Sequence, residues 1–487
     1  MAASSSSGGT GDENDELLNK IGKILNPDVD ENDELLNKIG KMLNSLDVDV
    51  DENGELLNII EKMLNSLDVD ENGELLNIIG KILNLQWSVS CIHRVPWHIR
   101  KWKEEAYTPQ VVSIGPFHHK NERLKVMEKL KERYLRSFMK RSRMKYENLV
   151  YFIRMMEECI RGCYEEIIDL SSDEFVEMIL MDASFILELF IRETPRFKAR
   201  DDQDPMFVIP RDTAIMFDLM LLENQLPFFI IDQPHQLTFR YPCKSDPGLL
   251  NCGDLVQLSF NYFVHSCFDF NFEHDRSNVR IEHFTDLLRT YQIPPRVKRP
   301  KRVRHERSDL LYTASQLHEA GVKFKVVEKS DCRFDIIFEK GVLKIPEFEL
   351  NDWTEVATRN IMALEQTRYM DDTYFTDHLF LMDSLINTKE DVDLLCENKI
   401  LVNYLGDNNA AYSMINDLNK GIIWMMKRQD YIDLYANLNG FCEKRWNCWK
   451  ATLKRQYFST PWRTASTVAA IILLVLTFIQ TVYSIIK

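Results

Sequence analysis

Apolar positions along this chain follow three different patterns, and each predicts a different kind of element. Residues 12–86 repeat one unit four times: "DENDELLNKIGKILN", "DENDELLNKIGKMLNSL", "DENGELLNIIEKMLNSL" and "DENGELLNIIGKILNLQ". In the first, Leu17, Leu18, Ile21, Ile24 and Leu25 recur at i, i+1, i+4, i+7 and i+8, which is one face of a helix. Asp and Asn before each run are N-cap residues. Each helix is about three turns long and marginal alone, so four acidic amphipathic helices on a flexible tether are expected, after a disordered Ser/Gly tail at 1–11. From 87 to 462 the apolar runs are broken by charges, as in a globular body. A helix is predicted from about Glu122. The stretches 175–191 and 219–231 read as buried core helices, with Pro227 ending the second at Leu226. Within 321–350, "KFKVV", "FDIIF" and "VLKIP" alternate as short strands around a Lys340-Gly341 turn, a small antiparallel β element. The last pattern is 465–486, 22 residues without a charge. At ~1.5 Å per residue it reaches ~33 Å, enough to cross a hydrocarbon core of ~30 Å. The predicted fold is therefore mainly α: a large helical body, a small β element and one C-terminal transmembrane helix.

Charge sharpens this division. The net charge is −15, yet residues 1–86 hold 19 acidic and 6 basic side chains, so the body is near neutral. It has no overall basic face, and a nucleic-acid partner is not expected. One local run is basic: Arg296, Lys298, Arg299, Lys301, Arg302 and Arg304 lie within 294–307, where three prolines exclude a helix through the first half. It reads as an exposed linker, suited to anionic lipid at a cytoplasmic surface or to the acidic repeats. Lys444, Arg445, Lys450, Lys454, Arg455 and Arg463 precede the apolar span and Lys487 follows it. That asymmetry places the body in the cytosol, in a tail-anchored arrangement. Ten scattered cysteines without a C-x-x-C pair, and no secretory signal at the start, agree with reduced buried thiols.

Candidate chemistry is sparse. The text from Asp49 matches an EF-hand loop through Asp49, Asp51, Asn53 and Gly54, but the twelfth position, which needs a bidentate Glu, is Ile60. Calcium binding is therefore not expected. In "VVSIGPFHHK", His118 and His119 are adjacent, and in extended backbone they point to opposite faces, so they do not share a metal. They read as hydrogen-bonding residues of a turn at Gly115-Pro116. Cys159 and Cys163, at i and i+4, read as core packing. No Gly-rich phosphate loop, nucleophile elbow or H-E-x-x-H occurs. No catalytic residue, cofactor or metal is expected. More informative are polar groups in apolar text: Glu223, Asn224 and Gln225 in "LMLLENQLPFFII", and Arg359, Asn360, Glu365 and Gln366 in "RNIMALEQ". They are expected to form one buried cluster that fixes two helices, with Glu223 paired to Arg359.

Val95-Pro96, Tyr107-x-Pro109, "VSIGPFHH", Asp218 with "LLENQLPFF", "RNIMALEQ" and the Pro-Trp before the apolar span together resemble the plant family called domain of unknown function 247. The resemblance runs from about Ile92 onward and leaves the acidic repeats outside. Gly115, Pro116 and His118 belong to its signature. It implies a largely helical plant protein with one C-terminal membrane span and no established enzymatic activity. It also implies a precedent, since some grass members act as pollen-side determinants of self-incompatibility. Where the family often has Asp-Gly-Cys-Phe, this chain has Asp182-Ala183-Ser184-Phe185, which removes a thiol nucleophile there. The expectation is a membrane-anchored, non-enzymatic recognition or signalling component with an unidentified protein partner. The alternatives are a membrane-tethered enzyme with a pocket around Glu223 and Arg359, and a structural adaptor.

Overall fold

In the computed structural model the described residues run from Ser90 to Ile486, with breaks at 143–145, 195–210, 233–234, 236–253, 268–278, 295–298, 300–301, 305–308, 328–333, 424–425 and 445–460. The four acidic repeats and the calcium-loop match lie outside the described residues.

The described elements are α1 (Trp97–Arg100), α2 (Glu128–Ser142), α3 (Tyr146–Met155), α4 (Glu157–Gly162), α5 (Ser172–Glu193), α6 (Arg211–Met220), α7 (Leu255–Cys267) and α8 (Phe284–Gln292). There follow β1 (Arg302–Arg304), α9 (Ala314–Glu319), β2 (Lys323–Val326), β3 (Ile337–Glu339), β4 (Val342–Ile345) and β5 (Phe348–Leu350). The chain continues through α10 (Asp352–Thr367), α11 (Tyr374–Leu385), α12 (Lys389–Glu397), β6 (Leu401–Asn403), α13 (Asn408–Leu418), β7 (Met426–Arg428), α14 (Gln429–Glu443) and α15 (Pro461–Ile486). The body is mainly helical, as its sequence predicts.

α5 is the central helix. A capping box between Ser171 and Glu174 starts it, and from Phe175 onward it is mostly apolar and buried on nearly every side. Such a helix must be covered all round, and α2, α3 and α7 pack against it. A second core gathers α9, the β2–β4 sheet and α12–α14. α11 serves both: Tyr374, Phe375 and Leu379 face the first core, and Leu381, Met382 and Leu385 the second.

The β element at 321–350 is a three-stranded sheet in the order β2-β4-β3. β3 and β4 form the antiparallel hairpin, and Lys340 and Gly341 both adopt positive φ (50° and 76°), as a two-residue turn of this kind requires. β2, however, pairs with β4 in parallel, so the sheet is mixed. Three short strands cannot reveal pairing direction by periodicity, because both directions alternate alike.

The basic run departs from a plain linker. β1 pairs antiparallel with β7, Val303 opposite Lys427. Arg299 donates to the Pro294 carbonyl and pairs with Asp372. Arg296, Lys298 and Lys301 lie outside the described residues. Arg302 and Arg304 lie on β1, opposite Arg428 and Met426.

Candidate functional site

Glu223, Asn224 and Asn360, together with Asp218, form a clasp that fastens the segment 94–115 to the helical body. Its centre is the stretch after α6. That helix ends at Met220, six residues before the end expected at Leu226. Side-chain amides explain the early stop. Asn224 Nδ2 donates to the Asp218 carbonyl, Gln225 Nε2 donates to the Leu219 and Leu221 carbonyls, and the Thr285 hydroxyl donates to Met220. These donors satisfy the carbonyls that a helix end leaves open, so α6 stops there, and helix resumes only after Pro227, at 228–232.

The same stretch takes hold of the N-terminal segment. Asp218 accepts backbone N–H bonds from Gln110, Val111 and Val112 at 2.7–2.8 Å. Burial pushes its carboxyl up to about 6, against the pull of those three donors. Asn224 accepts from the Ile114 N–H and returns a bond to the Val112 carbonyl. Asp182 accepts the Gly115 N–H, and the fully buried Lys131 Nζ reaches both Asp182 (2.6 Å) and the Ser113 carbonyl. Gly115 carries φ +70° and ψ −176°, a region open to glycine alone, and a Cβ there would fall 2.5 Å from the Gln225 carbonyl oxygen.

Glu223 is buried and accepts from the Val95 N–H (2.9 Å), Arg100 (2.8 Å) and Arg94 (3.1 Å). His118 Nε2 lies 3.3 Å from it, at ion-pair distance without the alignment of a hydrogen bond. Burial raises the Glu223 carboxyl, but His118, Arg100, the Val95 N–H and Arg94 outweigh it and hold it below its ordinary value. The turn expected at Gly115-Pro116 is a 3-10 helix at Pro116–His118, but buried His118 Nε2 and His119 Nδ1 make no hydrogen bond among the described residues, contrary to the hydrogen-bonding role expected of the two histidines.

The expected pairing of Glu223 with Arg359 does not form. Arg359 is buried against Glu355 and the Asp417 carbonyl, at 2.9 and 3.4 Å. Asn360 ties three pieces of backbone together, accepting from Leu222 N–H and donating to the carbonyls of Ala106 and Val356. Gln366 accepts the Ile423 N–H. Glu365 lies in a separate buried group: Arg289 Nε (3.2 Å), both N–H groups of Phe375 and Thr376, and the Thr376 hydroxyl all donate to it. The two motifs thus supply several polar centres in place of one. Sequence reasoning missed Arg94 and Arg100 as the partners of Glu223, Arg289 as that of Glu365, and the Lys131–Asp182 pair that holds the backbone at Ser113 and Gly115. The available signal was an acid inside apolar text, Asp182 and Asp218 included, because each such acid demands a donor.

Among the described residues, no group of three or more His, Cys, Asp or Glu side chains is placed to hold a metal ion. Cys91, Cys159 and Cys163 meet as buried free thiols, where Cys91 and Ile92 both donate to the Cys163 carbonyl. Hydrogen bonds from Cys159 and Cys91, and then burial, push the Cys163 thiol far up, which suppresses the reactive thiolate.

One buried histidine gives the body a pH dependence. His378 on α11 is wedged between the edges of the Phe334 and Phe348 rings, and burial together with nearby Arg428 pushes its pKa down to about 3. The folded state holds the ring neutral while the unfolded chain protonates near 6.5. Its contribution is therefore intact above about pH 6.5 and is lost as pH falls toward about 3, at ~1.4 kcal/mol per pH unit. In His378→Leu, the stability lost between pH 7 and pH 5 in denaturant titrations should be about 2 kcal/mol smaller than in the parent. An unchanged difference would exclude His378 as a source of acid lability.

No solved structure matches this chain. The UPF0481 protein At3g47200 of Arabidopsis thaliana is 26% identical over 423 residues, covering 82% of this chain and 86% of its own. The putative UPF0481 protein At3g02645 of the same plant is 23% identical, covering 80% and 89%. The family model described as plant protein of unknown function matches residues 92–476, which includes every element of the clasp, and the chain belongs to that family, domain of unknown function 247.

Proposed function

We propose that this protein is a membrane-anchored recognition or signalling component, with its body on the cytosolic face and its clasp as the fastening of a binding scaffold. The observation that carries this is α15. Its segment Thr464–Tyr483 is 20 residues long with a mean hydropathy of 2.2, and none of it is buried against the body. Leaving a Leu, Ile, Val or Phe side chain in water forgoes roughly 1.5–3 kcal/mol each, a loss that a bilayer removes along the whole helix. Trp462 and Tyr483 stand near its two ends, where amphipathic rings favour the interfaces. The basic residues from Lys444 to Arg463 set the side that stays cytosolic.

What supports recognition over catalysis is the use made of the polar side chains. Asp218 and Asn224 are directed at backbone groups, and Glu223 at backbone and cations, which holds a scaffold rigid. Glu223 and Arg359, the residues of the enzymatic alternative, have separate partner sets. The family precedent in grass pollen is likewise one of recognition.

Sodium carbonate washing of membranes that carry the full-length protein should leave it in the pellet. Protease added to sealed vesicles with the cytosolic face outward should degrade the body. Release by carbonate would refute the anchor, and a protected body would refute the orientation.

A further inference from the structure

An aromatic surface remains that neither the clasp nor the cores use. In "WHIRKWK", residues 97–103, Ile99 is buried while Trp97 and Trp102 are 73% and 50% exposed. The loop after α13 packs directly beside them. Gly421, at φ +82°, comes so close that a Cβ would lie 2.2 Å from the His98 carbonyl oxygen and 3.1 Å from Trp102 Cδ1. Ile423, two residues on, is also exposed. Two ammonium groups flank the second indole, Lys101 Nζ at 5.2 Å and Lys420 Nζ at 5.5 Å from its centroid.

We propose that this surface rests in the headgroup layer of the bilayer that receives α15. The inference builds on the membrane reading above. An indole has an apolar body and one N–H donor, and its most favourable position is the boundary between acyl chains and headgroups. Lysine stems lie along apolar surface while their ammonium groups reach outward, here to the level of lipid phosphates. The chemistry fits phosphate above and hydrocarbon below, which is the profile of a lipid interface.

The charge balance narrows the choice of lipid. Lys420 is also paired with Asp417 at 2.6 Å, and the exposed Glu104 and Glu105 follow on the next turn. The local surface is near neutral, so zwitterionic headgroups suffice and anionic lipid is not required. A weak affinity is enough, because a span in the same chain keeps the body at a high effective concentration beside the membrane.

The test uses the full-length protein in phosphatidylcholine vesicles, with and without bromine in the upper acyl chains. Bromine quenches only indoles that lie against the chains. Subtracting the emission of Trp97→Phe/Trp102→Phe from that of the parent isolates the two surface indoles. Subtracting Trp462→Phe isolates the indole at the start of α15. Brominated lipid should reduce the first difference by about twofold or more, as for interfacial indoles, and aqueous iodide should reduce it little. If brominated lipid quenches the α15 difference but not the surface one, or if iodide quenches the surface one strongly, this surface faces water or a protein partner and the inference is overturned. If neither difference responds to bromine, the membrane reading itself fails and the inference falls with it.

Discussion

Replacing Gly115 with alanine should cost about 3–5 kcal/mol, a large fraction of the stability of an ordinary domain. Two independent costs add. The backbone at φ +70° and ψ −176° is one that residues with a Cβ avoid, at about 1–3 kcal/mol. The added carbon would also meet the Gln225 carbonyl oxygen at 2.5 Å and the Tyr164 hydroxyl at 3.0 Å. Neither neighbour yields freely, because the Tyr164 hydroxyl donates to that same Gln225 carbonyl. Relieving such overpacking costs about 1–3 kcal/mol more. Relaxation would have to move the turn outward, and that breaks the Gly115 N–H bond to Asp182 and loosens the Ile114 bond to Asn224. Chemical denaturation of the purified protein, read by tryptophan fluorescence, checks the size. A loss under about 1 kcal/mol, the usual effect of an ordinary surface change, would mean that the turn is not locked as described.

That prediction marks how far the sequence could be read. "VSIGPFHH" and "LLENQLPFF" stand out as motifs, and the mainly helical class and the apolar C-terminal helix follow from periodicity and length. What a single sequence cannot supply is which groups meet. Gly115 and Gln225 are 110 positions apart, and their contact is one of backbone with backbone, so no residue type announces it. The end of α6 escapes the sequence for a similar reason. Pro227 is a visible breaker, but the earlier stop at Met220 depends on side-chain amides curling back onto carbonyls, and Asn or Gln elsewhere need not do so. The parallel pairing of β2 with β4 and the β1–β7 pair across the basic run depend on long connections that leave no local trace.

The same limit explains the Glu223–Arg359 expectation and points to a better pair. Burial of both side chains was legible, because charges inside apolar helical text must be paired. The choice of partner was not. Glu223 lies with Arg94 and Arg100, Arg359 with Glu355, and the two carry no ion pair to each other. The acid of "RNIMALEQ" that does have a buried arginine is Glu365, with Arg289 from α8. Arg289 also spans to Asp372 and lies over the Tyr369 ring at 4.1 Å, so its removal empties the site on three sides. Arg289→Met should therefore cost about 3–5 kcal/mol, the expected effect of stranding a buried charge, and Glu365 will take up a proton to limit the damage. In a double-mutant cycle with Glu365→Gln, the coupling between the two should be about 2–3 kcal/mol, since each single change orphans the other group. The cycle of Glu223→Gln with Arg359→Met should give less than about 0.5 kcal/mol, because the two share no ion-pair partner. Equal couplings in the two cycles would place all four side chains in one network and reinstate the single cluster that the sequence suggested.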